Sequence, residues 1–213
     1  MIKLVIILSV VAILVLVGYF LLQRPVVSEE DYTTIYTSLD PEQNSLLDTI
    51  NFSVNLKGLD VVFRSIARYK VSAIILSKKR YVSDWTSIIS PLDFALGWGD
   101  VAKSENLEHI KVRQTMRWYR YKFDNECAIT QQYISTHSSN HHIIPANNNI
   151  RKAVLSTKKN NAIVLEGYLV NVSGKYKGGN VTWRSSKTRT DTGNGSCEIM
   201  YVTSVKIDTN IYR

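Results

Sequence analysis

The sequence predicts an α+β protein: an N-terminal transmembrane helix, then one domain with a mainly antiparallel sheet or small barrel and a few short helices. Three observations carry that reading. An uncharged apolar run, Leu4 to Leu22, opens the chain. β-rich apolar segments recur through the rest of it. The intervening stretches hold only brief helix-start signals. The organisation that follows is an anchor over residues 1–24, a juxtamembrane linker over 25–40 and a single domain over 41–213.

The run LVIILSVVAILVLVGYFLL has 19 uncharged residues. At about 1.5 Å per residue it covers roughly 28 Å, the thickness of a bilayer's hydrocarbon layer. Lys3 and Arg24 bracket it. A cleaved signal peptide has a shorter apolar core, about 7–15 residues, ending at small residues; Tyr19-Phe20-Leu21-Leu22-Gln23-Arg24 offers no such site. The amino terminus and Lys3 precede the span, and Arg24 then Glu29, Glu30 and Asp31 follow it. The positive-inside rule puts the N-terminus in the cytoplasm and the domain on the outer side, periplasmic or extracellular.

Beyond the linker, Asp40-Pro41-Glu42-Gln43 carries a cap, a proline suited to the first helical position and a capping-box glutamine. The expected element is a helix from Pro41 to Ile50. Tyr69 to Leu76 reads as a strand. Ser90 to Asp100 reads as a structured loop packed into the core, and Val101 to Ile110 as containing a short helix. Alternation over Lys111–Phe123 predicts one half-buried strand with a basic outer row. Tyr133–Thr136 reads as another strand, and His137–Pro145 as a polar turn. Asn147 to Asn149 offer caps for a helix bearing Ile150, Val154 and Leu155. Strands follow at 162–172, 180–184 and 198–207, the first two paired as a hairpin with a longer loop. The sum is five or six strands with two or three short helices.

Composition narrows the function. The net charge of +8 is uneven: 13 basic and 13 acidic residues lie between Pro25 and Asn125, but 11 and 5 from Glu126 onward. A basic half suits an anionic lipid, nucleic acid or phosphate-bearing ligand; no nucleic-acid motif is present. Two cysteines, Cys127 and Cys197, exclude a disulfide-rich scaffold and leave open one disulfide or two thiols.

Three constellations hold chemistry. His137, His141 and His142 cluster, but without HExxH-type spacing, so neither a metal nor a cofactor is assigned. Trp183 to Glu198 is a polar loop. Its Arg184, Lys187 and Arg189 supply charge, and Gly193 and Gly195 allow backbone amides to turn inward around an anion. The alternative is that Arg189 and Asp191 merely tie a long loop. Cys197, His142 and Asp191 are the residue types of a nucleophile, base and orienter.

Ser90-Pro91-Leu92-Asp93 through Leu96-Gly97-Trp98-Gly99, Arg117-Trp118-Tyr119, Ser139-Asn140-His141-His142-Ile143-Ile144-Pro145, Gly167-Tyr168-Leu169-Val170 and Asp191-Thr192-Gly193 with Cys197-Glu198 resemble a group of uncharacterised bacterial proteins with an N-terminal hydrophobic segment. The resemblance covers about residues 70–205. It implies one domain and names no activity.

The function expected from these features is a membrane-anchored binding or accessory module for an anionic ligand, lipid headgroup or protein partner. It is not an enzyme on that reading. The alternative is a cysteine-histidine hydrolase or transferase using Cys197 and His142.

Overall fold

The computed structural model describes residues 2–188 and 196–213. The chain opens with helix α1 (Ile2–Leu22) and two short strands, β1 (Glu29–Glu30) and β2 (Glu42–Asn44). Strand β3 (Asn51–Leu56) then turns into the 22-residue β4 (Leu59–Arg80). After α2 (Thr86–Ile89) come β5 (Leu92–Gly97), a 3-10 turn (Gly99–Ala102) and α3 (Ser104–Leu107). The hairpin β6 (Ile110–Thr115) and β7 (Trp118–Phe123) leads through α4 (Gln131–Thr136) to β8 (Ser138–Pro145) and α5 (Asn148–Ser156). The last strands are β9 (Ala162–Tyr176), β10 (Gly179–Trp183), β11 (Glu198–Ile207) and β12 (Asn210–Tyr212). The protein is α+β and mostly sheet.

Five strands close on themselves. β4 pairs with β5, β5 with β8, β8 with β11, β11 with β9, and β9 again with β4. Every pairing is antiparallel except β8–β11. Renumbered within the barrel the order is 1-2-3-5-4-1, with the third and fifth strands parallel and a helix, α5, between the third and fourth. That is the topology of the oligonucleotide/oligosaccharide-binding (OB) barrel. β4 is long enough to serve both neighbours because register shifts at Ser65/Ala67 and Ile75/Ser77 let it coil.

Alternation sorts the side chains. Tyr69, Val71, Phe94, Ile143, Leu165 and Met200 point inward, and Ile150, Ala153 and Val154 of α5 plug one end. Beyond the Ser65/Ala67 shift the buried face of β4 changes sides. Leu59, Val61 and Phe63 therefore pack on the barrel's outside, against Ile144 and Ile199. The outer face of β5 and β8 is roofed by the β6–β7 hairpin, with Ile110, Val112 and Tyr119 in a third apolar cluster.

Several expected elements differ. Residues 41–50 form no helix: β2 and β3 add to β4, whose edge outcompetes a marginal local propensity. Ser90–Asp100 is not a loop but contains the fully buried strand β5. The alternating run Lys111–Phe123 is broken at Met116 and Arg117, both at positive φ, into two strands of a hairpin. Tyr133–Thr136 lies in α4, whose cap Thr130 accepts from the Tyr133 amide. His137–Pro145 is not a turn; β8 fills most of it and is buried along nearly its whole length. The β9–β10 hairpin turns tightly, at Lys177-Gly178. Among the described residues the main sheet holds ten strands instead of five or six. The helix after Asn147, the Tyr69–Leu76 strand and the three late strands lie as expected.

Helix α1 runs 21 residues, from Ile2 to Leu22. Among the described residues no helix is long and apolar enough to cross a membrane.

Candidate functional site

The β6–β7 hairpin ends in a two-residue turn at Met116 (φ 50°) and Arg117 (φ 68°). Both central residues have positive φ, as in a type I′ turn, but neither is glycine, asparagine or aspartate. Such a conformation costs about 1–2 kcal/mol per residue. The turn drives Arg117 down onto the loop between β4 and β5. Its Nη1 donates to Asp93 Oδ1 (2.7 Å) and Ser90 Oγ (3.3 Å). Nη2 donates to Asp84 Oδ1 (3.1 Å) and the Ser90 carbonyl (3.0 Å), and Nε to Asp84 Oδ2 (3.2 Å). All five guanidinium N–H groups are thus engaged. The Tyr81 ring covers the guanidinium at 4.0 Å. The Tyr81 hydroxyl accepts the Arg117 amide.

The ion pairs shape the acids. Burial works against the Asp84 charge, but the hydrogen bonds and charge of Arg117 prevail and hold its carboxyl below the usual range. Burial, reinforced by Asp93, pushes the Tyr81 phenol up. Asp93 has 0% side-chain exposure against 13% for Arg117. Its Oδ1 also lies 2.9 Å from His142 Nδ1, close but without forming a hydrogen bond. Trp183 packs on the His142 ring with centroids 4.6 Å apart.

Cys197 stands on the same outer face. Asn140 Nδ2 donates to its sulfur at 3.7 Å and to the Arg117 carbonyl at 3.0 Å, and Cys197 Sγ lies 4.0 Å from that carbonyl. Next along β8, Tyr119 donates to the Ser138 carbonyl, and burial raises its phenol to about 12. So β5, β8, the start of β11 and the hairpin tip bring Asp93, His142, Asn140, Cys197 and Arg117 into one patch. No disulfide forms; Cys127 is a thiol packed against the third apolar cluster, beside Ile134.

The other expected residues fare differently. Arg189, Asp191, Gly193 and Gly195 lie outside the described residues. Arg184 and Lys187 are exposed, and the Lys187 carbonyl accepts from Gln43 Nε2. The histidines are not brought together. His141 faces into the barrel, where its Nε2 meets Tyr69 Oη at 3.2 Å and Nδ1 lies 4.0 Å from Glu198. His142 faces out. His137 sits before the strand, stacked on Tyr133 at 3.7 Å. Among the described residues no three ligating side chains converge.

Sequence reasoning missed Arg117, Asp93, Asp84, Tyr81, Trp183 and Asn140. One signal was available: Asp93 is the lone charge inside the apolar run from Pro91 to Trp98, where an acid must be buried and paired.

Beside the patch, across the Tyr81–Ile89 loop, an open groove of about 920 Å³ runs between that loop, the ends of the two hairpins and the start of α5. Phe52, Tyr81, Tyr176 and Tyr201 give it aromatic walls. Its charged lining is Lys57, Arg151, Lys177 and Asp84.

The fold and groove define a barrel of OB topology whose strand 2–3 face is covered by an inserted hairpin, leaving the groove next to it open. No family model, curated protein or solved structure matches the chain.

Proposed function

We propose that the chain is a membrane-anchored binding module, held with its N-terminus in the cytoplasm and its barrel outside, that takes an anionic ligand in the groove. One observation carries the ligand's sign. The groove presents three basic side chains, and the one carboxylate among the described residues lining it, Asp84, already faces Arg117. Uncompensated cations in a partly enclosed cleft attract an anion, and the aromatic walls suit a ligand with a ring or an apolar part. The anchor is supported by α1, where Val10, Val11 and Ile13 to Val17 are 48–65% exposed. Five successive residues go more than once round a helix, so this one is apolar on every side, as lipid requires.

The test is calorimetric titration of the detergent-purified full chain with inorganic pyrophosphate. Binding is expected to weaken from low to physiological salt. It is expected to fall with Lys57→Ala, Arg151→Ala and Lys177→Ala together, and to survive Arg184→Ala, Lys187→Ala and Arg189→Ala together. The reverse pattern moves the site to the 184–197 loop, and loss in neither removes the anionic ligand. A membrane-impermeant thiol reagent applied to intact cells tests orientation: labelling without permeabilisation is expected, and labelling only after permeabilisation puts the barrel in the cytoplasm.

A second reading, a hydrolase or transferase using Cys197 and His142, is favoured by one specific contact. Asp93 Oδ1 lies 2.9 Å from His142 Nδ1, where an orienting acid would stand, a role expected of Asp191. On this reading His142→Gln slows alkylation of Cys197 at neutral pH, measured in a Cys127→Ser background. Equal rates in the two chains remove it.

A further inference from the structure

We infer that the groove's ligand is the phosphate headgroup of an anionic phospholipid in the same bilayer that anchors α1. This rests on the proposal of an anchored, anion-binding module and adds the ligand's source.

The first argument is where the anchor joins the barrel. Lys152 Nζ donates to the Leu22 carbonyl. Asn149 accepts the Val26 amide at 2.7 Å and donates to the Val26 carbonyl at 2.8 Å. The Ser28 amide donates to the Ile211 carbonyl at 2.8 Å, and β1 pairs with β12. Between the last residue of α1 and the first pinned residue lie only Gln23, Arg24 and Pro25. Three residues reach about 10 Å when fully extended. The barrel has no tether on which to swing away, so its α5 end rests at the headgroup layer.

The second argument is that α5 also lines the groove. Asn148 and Arg151 face it, one residue before Asn149 and Lys152, which hold the anchor strap. A one-residue step on a helix turns about 100° and rises 1.5 Å. The groove and the membrane attachment therefore share one short helix.

The third is chemical. Arg151 and Arg80 form no ion pair with a carboxylate among the described residues, and burial, with the nearby Arg80 adding to it, disfavours the charge on Arg151. Lys57 and Lys177 sit at the turns of the β3–β4 and β9–β10 hairpins, on the groove's far wall. On the same rim Val82 is 88% exposed and Leu56 49%. Cations for a phosphate beside exposed apolar side chains for glycerol and acyl carbons match a phospholipid better than a free phosphate.

The experiment is amide hydrogen exchange on the full chain in nanodiscs of phosphatidylcholine, with and without phosphatidylglycerol. Slower exchange over residues 51–56 and 81–89 is expected only with phosphatidylglycerol. Lys57→Glu, Arg151→Glu and Lys177→Glu together should abolish it, at about fivefold per lost charge in apparent affinity, while an unchanged thermal melt shows the barrel folded. Equal exchange in both discs, or protection that persists in the triple variant, overturns the inference. So does full protection in phosphatidylcholine discs from added soluble glycerol phosphate, which makes the ligand a free anion. Carbonate extraction of membranes reports separately on the anchor: release of the chain defeats the anchored module itself, whereas retention with pyrophosphate binding but no lipid effect defeats only the lipid.

Discussion

Arg117 is a cation spent on holding the protein together. Its five N–H groups are distributed between two aspartates and one serine, and its ring-stacked face is closed by Tyr81. It has no donor left for a ligand, which is why the basic side chains that matter for binding are those of the groove. The strained turn that carries it is offset by these bonds. Removing the side chain leaves Asp93 buried beside His142 with its main counter-charge gone, and breaking such a buried pair costs about 3–5 kcal/mol. Arg117→Ala is therefore expected to lower the thermal midpoint sharply. Arg117→Lys is expected to recover only part, since one ammonium cannot bridge Asp84 and Asp93 in the plane of a guanidinium. Thermal melts of both variants followed by circular dichroism test this. A lysine variant as stable as the native chain would mean that charge alone, not the fork geometry, holds the loop.

At the scale of elements, barrel closure depends on how tightly β9 passes between β4 and β11. Gly167 is the point of closest approach: a Cβ there would lie 2.0 Å from the Tyr201 carbonyl oxygen. That oxygen belongs to the backbone and cannot rotate away. Gly178, at the tip of the β9–β10 hairpin, has positive φ but open space around it. Gly167→Ala is expected to cost several times more stability than Gly178→Ala, which should cost about 1 kcal/mol. Comparable urea midpoints for the two would show that the strand relaxes. The barrel's closure was not legible in the sequence, although the β9–β10 hairpin was. The strongly apolar strands 162–172 and 198–207 were, because burial on the inner face writes itself as alternation. The α5 start was, because Asn147 caps locally. What failed were segments decided by distant partners. Pro41–Ile50 has a sound local helix signal yet runs beside β4, and β5 reads as a loop because a Pro at one end and glycines at the other outweigh six buried residues. The site split the same way. Cys197 and His142 were legible as reactive types, while Arg117, Asp84 and Asp93 come together only through a hairpin turn that lacks the usual glycine or asparagine.

Across the whole molecule, the strap between α1 and β2 decides whether the barrel is fixed against the bilayer or merely attached to it. Its central clamp is Lys206, buried at the end of β11, whose Nζ donates to Asp31 Oδ2 and the Thr33 carbonyl, both at 2.7 Å, and to Thr33 Oγ1 at 2.9 Å. The hydrogen bond from Lys206, aided by those from Thr33, lowers the Asp31 carboxyl to about 2. The sign follows from linkage. Folding favours the ionised form, so Asp31 contributes its full stabilisation above the unfolded value near 3.8 and loses it as pH falls through about 2. Asp31→Asn should therefore be less stable than the native chain at neutral pH, and the gap between them should close between pH 4 and pH 2. Amide exchange over residues 28–33 should speed up in the native chain across the same interval, while the inner strands β5 and β8 stay protected until the barrel itself unfolds. No gap at neutral pH would mean that Lys206 is held by the two threonine oxygens alone. The strap would then be independent of charge, and acid would leave the barrel docked on its anchor.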